Sequence, residues 1–123
     1  MNFSNKGSLL NGKLNLAIYA LGHLVSKTEP TPLRQLAVDS GCSVPYLEQI
    51  FSLLLQANIV TSTRGAGGGY TLSDTTGTKT SIRSVAQAVD KEMFNKSSNR
   101  KLLQHLEEAM GNITLAEATA STK

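Results

Sequence analysis

The side chains of this sequence that could do chemistry are few, and most stand alone. His23 and His105 lie far apart, neither at a metal-ligand spacing from a partner. Asp90 with Glu92, and the adjacent Glu107 and Glu108, read as solvated charges rather than an acid/base pair. Cys42 is the sole cysteine, which excludes an internal disulfide and any site built from several thiolates of one chain. A redox-sensing role for Cys42 would need a lowered pKa and a partner, and the sequence supplies neither. What does recur is hydrogen-bonding capacity in a pattern. Ser43, Tyr46, Glu48 and Gln49 stand close together, and Arg64 opens a loop made almost entirely of glycine: Gly65, Gly67, Gly68 and Gly69. Such a set suits the edges and backbone of a duplex. Tyr46 and Gln49 offer hydrogen bonds, Glu48 can accept from a cytosine amino group, Ser43 can serve a phosphate, and Arg64 can enter a narrow minor groove.

These residues need elements to hold them. Leu14, Ala17, Ile18, Leu21, Leu24 and Val25 recur at three- and four-residue spacing and predict an amphipathic helix. Glu29-Pro30-Thr31-Pro32 stops it. Pro32 suits the first position of a second helix with Thr31 as its cap; Leu33, Leu36 and Ala37 would be buried and Gly41 would end it. Ser43 can cap a third helix whose apolar stripe is Leu47, Ile50, Phe51, Leu54 and Leu55. Two helices joined by a turn at Gly41-Cys42 form a helix-turn-helix pattern. Off the stripe of the third helix lie Val44, Pro45, Tyr46, Glu48, Gln49 and Ser52, mostly in its first two turns, where a recognition helix reads base edges. After Asn58 the period becomes extended, and Ile59–Thr63 with Tyr70–Ser73 predict a hairpin around the glycines, the wing of a winged helix.

The glycines do not form a nucleotide site. Tyr70 stands where the last glycine of a dinucleotide fingerprint belongs, no Gly-Lys-Ser/Thr follows, and the run lies between strands. Beyond the wing, residues 74–80 read as a polar linker, and Ser81 can cap a short helix with Val85, Ala86 and Val89 inward. A last long helix carries Leu102, Leu103, Leu106, Ala109 and Met110 as one apolar stripe ended by Gly111. That stripe can cover the chain's own core or pair with a second copy, and pairing is favoured because a complete winged helix leaves little core to cover. Thr114 and Glu117 have capping-box spacing for a final turn.

The 123 residues suit one modest core, with 40% hydrophobic and 17% charged residues. No apolar run reaches a membrane span and no signal peptide is evident, so the expected compartment is the cytoplasm. The net charge of +3 lies entirely within residues 1–83, because residues 84–123 carry five charges of each sign. That surplus permits a nucleic-acid partner without demanding one.

Ser43-Val44-Pro45-Tyr46-Leu47-Glu48-Gln49-Ile50-Phe51 followed by Arg64-Gly65-Ala66-Gly67-Gly68-Gly69-Tyr70 resembles the Rrf2 family of bacterial winged-helix regulators. The resemblance is specific over about 32–73 and weaker over Ile82 to Asp90 and Asn112 to Glu117; Lys6-Gly7 matches the family's start, whereas Ser8 to Asn15 departs from it. It implies a homodimer, pairing through a long helix from about Ser98 to Met110, on near-palindromic double-stranded DNA. The third helix would lie in the major groove and the wing in the minor groove. Carried over by position, DNA contacts fall on Ser43, Pro45, Tyr46, Glu48, Gln49, Arg64, Gly65 and Gly67, with Lys6 on a phosphate. Cluster-binding members carry three cysteines ahead of the long helix, where this chain has the cysteine-free Lys91-Glu92-Met93-Phe94-Asn95-Lys96-Ser97-Ser98-Asn99. No iron–sulfur cluster or other cofactor is therefore expected, and the effector, small molecule or protein, is open. The expected fold is mainly α with a small β-hairpin: a winged helix-turn-helix domain at 1–80, then a dimerisation helix and C-terminal segment at 81–123, packed as one unit. The expected protein is a non-enzymatic transcription repressor. The alternative is a winged-helix module for protein–protein interaction with little DNA affinity.

Overall fold

A computed structural model of the chain describes residues 12–92 and 100–120. The elements run α1 (Gly12–Gly22), α2 (Leu33–Ser40), α3 (Val44–Gln56), β1 (Val60–Thr63), β2 (Gly69–Leu72), α4 (Ile82–Val89), α5 (Arg100–Gly111) and α6 (Leu115–Thr119). The expected class, mainly helical with one antiparallel hairpin, is the class observed.

The predicted stripes form the core. Leu14, Ala17, Leu21, Leu24, Leu36, Leu47, Ile50, Phe51, Leu54, Val85, Ala86, Val89 and Leu115 belong to one buried cluster, which therefore draws on both halves of the chain. Leu55 does not join it. It is exposed at the far end of α3, where the stripe has rotated past the facing helices.

Two helices close in the same way. After α2, Gly41 takes the left-handed conformation (φ 68°), and the amides of Gly41 and Cys42 donate to the carbonyls of Val38 and Ala37 at 3.2 Å each. After α3 the left-handed residue is Asn58 (φ 61°), with Asn58 and Ile59 donating to Leu55 and Leu54 at 3.0 Å each. Asparagine tolerates this region better than most residues, and Asn58 is where the chain turns from helix into wing. Ser43 caps α3 as expected, accepting the Tyr46 amide at 3.2 Å. Ser81 caps α4 by accepting the Ser84 amide at 3.1 Å. Thr114 and Glu117 form the expected reciprocal box at the start of α6.

The start of α2 differs from expectation. Pro32 is the residue ahead of the helix, in extended conformation, and no side chain caps it. Thr31 instead exchanges backbone hydrogen bonds with Tyr70 (3.0 and 2.9 Å), lying along the open side of β2 like a third strand. The proline that follows pushes Thr31 into extended backbone, where its amide and carbonyl are free to pair.

Residues 74–80 are a packed joint rather than a loose linker. The Asp74 carboxylate accepts from the Lys79 amide (2.7 Å) and the Thr80 hydroxyl (3.1 Å). The turn is tied to the segment after α1 by Ser26 donating to Thr75, and to α6 by Ala116 donating to Gly77 and Leu115 donating to Thr80. Buried Gly77 at its centre leaves room for α6 to approach.

Candidate nucleic-acid interface

The first two turns of α3 present Val44, Pro45, Glu48, Gln49 and Ser52 to solvent, while Leu47, Ile50 and Phe51 anchor the opposite face. Pro45, Glu48, Gln49, Ser52 and Leu53 line one shallow depression on this surface. Ser43 has its oxygen engaged by the Tyr46 amide, so its hydroxyl proton remains to donate outward. Tyr46 departs from expectation. It is half-buried and packed against the core, so its ring belongs partly to the scaffold of the helix rather than wholly to the reading face.

The wing pairs Val60 with Leu72, Thr61 with Thr71, Ser62 with Tyr70 and Thr63 with Gly69. Its tip, from Arg64 through Gly67, is exposed. The glycines divide by role. A side chain at Gly65 or Gly67 would meet nothing within 4 Å, so these two leave the tip bare. At Gly69 a Cβ would run into the Thr31 carbonyl and stand 2.7 Å from the Pro32 nitrogen. Gly69 is thus glycine because the backbone ahead of α2 crosses there. Tyr70, next to it, packs its ring against Phe51 of α3, the centroids 4.9 Å apart and the planes tilted by 59°. The Thr31 bridge and this ring contact fix the wing to both helices of the helix-turn-helix. The positioning roles of Thr31 and Gly69 are absent from the sequence reading, although the Thr-Pro pair was the signal for an extended, pairing-competent strand.

Other sequence candidates are placed as follows. Lys6 lies outside the described residues, as does the start of the long helix at Ser98. On α5, Leu102 is 64% and Leu106 37% exposed, and Leu103 is half-buried. Met110 instead lies in the core of its own chain. Cys42 is half-buried beside Ser40, whose hydroxyl donates to the Leu36 carbonyl. His23 is half-buried with its ring edge-on to Tyr19, and His105 is exposed. No helix among the described residues is long and apolar enough to cross a membrane.

The Rrf2 model, "Iron-dependent Transcriptional regulator", matches residues 10–121. The chain belongs to the Rrf2 family. The HTH-type transcriptional regulator IscR of Vibrio cholerae is 31% identical, over 95% of this chain and 74% of its own length. IscR of Enterobacter sp. is 41% identical over 57% of this chain, a match covering 42% of that protein. The fold is shared with T. potens IscR (TM-score 0.78, 26% identity, 98% of this chain and 92% of that one). It is shared also with CymR, the global cysteine regulator of B. subtilis (TM-score 0.79, 22% identity, 93% and 98%). This Rrf2 chain is a winged-helix, DNA-binding transcription regulator and not an enzyme.

The family description names iron, so the donor set must be tested against it. Iron–sulfur clusters are held chiefly by several cysteine thiolates. This chain has one, in the α2–α3 turn. Among the described residues no group of three or more His, Cys, Asp or Glu side chains could hold a metal ion. The residues present do not fit an intramolecular cluster.

Proposed function

We propose that this Rrf2 protein is a cytoplasmic repressor that binds a near-palindromic operator as a homodimer, without an iron–sulfur cluster. The α3 helix enters the major groove with Pro45, Glu48 and Gln49 on base edges, Ser43 on a phosphate and Tyr46 at the margin. The wing brings Arg64 to the minor groove, and its bare glycines Gly65 and Gly67 allow the close approach. Leu102, Leu103 and Leu106 pair with the same face of a second copy. A two-fold dimer would set two α3 helices on half-sites about one helical turn apart.

The observation that carries this reading is the pairing of a capped helix bearing exposed Pro45, Glu48, Gln49 and Ser52 with a rigidly tethered wing whose tip exposes Arg64. The exposed Leu102 and Leu106 support self-association, since a lone solvated helix gains nothing from them. The test is selection of bound duplexes from a random pool by the full chain. An inverted repeat is the expected product. Duplex affinity that is absent even at low salt would refute the reading and favour a protein-binding module.

A further inference from the structure

The α3 helix, Val-Pro-Tyr-Leu-Glu-Gln-Ile-Phe-Ser-Leu-Leu-Leu-Gln, contains no lysine or arginine. The commonest base-specific contact, a cationic side chain on guanine O6 and N7, is therefore unavailable to it. Discrimination on this helix must come from the polar groups of Glu48 and Gln49 and from apolar contact. Two apolar residues are exposed in its first turn, Pro45, which shares the depression with Glu48 and Gln49, and Val44, which carries the methyl groups. Val44 is the first residue of the helix, 37% exposed, directly after the Ser43 cap. Its exposure serves no folding purpose: Ser43 already caps the helix, and a β-branched residue lowers helix propensity. The stiff χ1 of a β-branched side chain limits the entropy lost when its methyl groups make a contact.

Resting on the DNA-binding reading above, we propose that Val44 recognises the C5-methyl group of a thymine in each half-site. Of the groups displayed in the major groove, that methyl is the apolar one, and apolar side chains discriminate by touching it. Val44 and Glu48 are four residues apart and so neighbours on one side of the helix, separated by about one 5.4 Å turn. Successive bases on a strand rise by about 3.4 Å. The thymine read by Val44 thus lies one or two base pairs from the position governed by Glu48.

The test replaces each thymine of the selected operator in turn by deoxyuridine, which removes only the methyl, and measures affinity by gel shift at fixed salt for wild type and Val44→Ala. At one thymine per half-site the wild type should lose roughly three- to five-fold, the worth of one buried methyl. Val44→Ala should discriminate less between the thymine and uracil duplexes at that position, while still unfolding in one cooperative thermal transition. Indifference of the wild type to every replacement overturns the proposal. A loss that persists undiminished in Val44→Ala overturns the assignment to this residue. Failure to bind any duplex overturns the underlying DNA-binding reading and the proposal with it, and is recognised before any uracil is introduced.

Discussion

Substituting Gly69 by alanine puts the tether between wing and helices to the test. Its φ is +155°, and an added Cβ would stand 2.7 Å from the Pro32 nitrogen and press on the Thr31 carbonyl. All of these atoms are backbone, held by the reciprocal Thr31–Tyr70 hydrogen bonds of 3.0 and 2.9 Å, so none can rotate away. Relief requires lifting β2 from the start of α2. A side chain held in a sparsely populated backbone region costs about 1–3 kcal/mol, and overpacking against fixed atoms a further ~1–3 kcal/mol. The expected loss is about 2–6 kcal/mol, against a typical domain stability of about 5–15 kcal/mol. Gly67→Ala is the internal control. Its φ is also positive (+77°), but nothing lies within 4 Å of the new Cβ, so only about 1–2 kcal/mol of left-handed backbone strain applies. Urea unfolding followed by far-ultraviolet circular dichroism should give a midpoint for Gly69→Ala well below that of Gly67→Ala. Equal midpoints, or a more stable Gly69→Ala, would refute the claim that glycine is required there by the strand crossing.

Three further outcomes are expected. Arg64→Ala should weaken operator binding by about 1–3 kcal/mol in a gel shift, with the unfolding midpoint unmoved because Arg64 is exposed. Leu102→Glu combined with Leu106→Glu should convert a dimer to a monomer in sedimentation equilibrium while preserving helical content, since both side chains are open to solvent in the isolated chain; an unchanged mass would exclude this face. Anaerobically purified protein should show no sulfur-to-iron charge-transfer absorption in the visible range, and such bands would contradict the donor-set argument built on a single cysteine.

Much of this architecture is legible in the sequence because it is local. Helix stripes, the Ser43, Ser81 and Thr114 caps, and the Gly41 stop each depend on residues within a few positions; the caps and the stop are found where the pattern predicts, and of the α3 stripe Leu55 alone stays out of the core. The misses are tertiary. Nothing near Thr31 reveals that β2 will pass beside it, so its best local use was as a helix cap. Asp74 to Thr80 is polar and turn-rich, and only the approach of α6 turns it into a packed joint. Likewise Met110 and Leu102 are equivalent members of one stripe until α5 settles on α4, which buries the first and leaves the second exposed. The candidate site divides similarly. The helix phase identifies the exposed Glu48 and Gln49, whereas the half-burial of Tyr46 depends on the facing core, which helix phase does not describe.

In the proposed complex, attraction and discrimination belong to different elements. The only charge on α3 is the carboxylate of Glu48, which phosphates repel. The cation of the wing, Arg64, sits on a loop with no other functional side chain, and Arg34 is the exposed cation of α2. Electrostatic affinity, which is indifferent to sequence, must therefore come from outside the helix that reads the bases. On the proposed docking, Glu48 acts as a filter: it opposes approach to any duplex and is compensated only where a cytosine amino group faces it. A filter of that kind works only if the helix cannot retreat from the groove. The Thr31 bridge, the Phe51–Tyr70 contact and the crossing at Gly69 tie α3 to the Arg64 loop, so that in the proposed complex a wing seated in the minor groove also presents Glu48 to the bases.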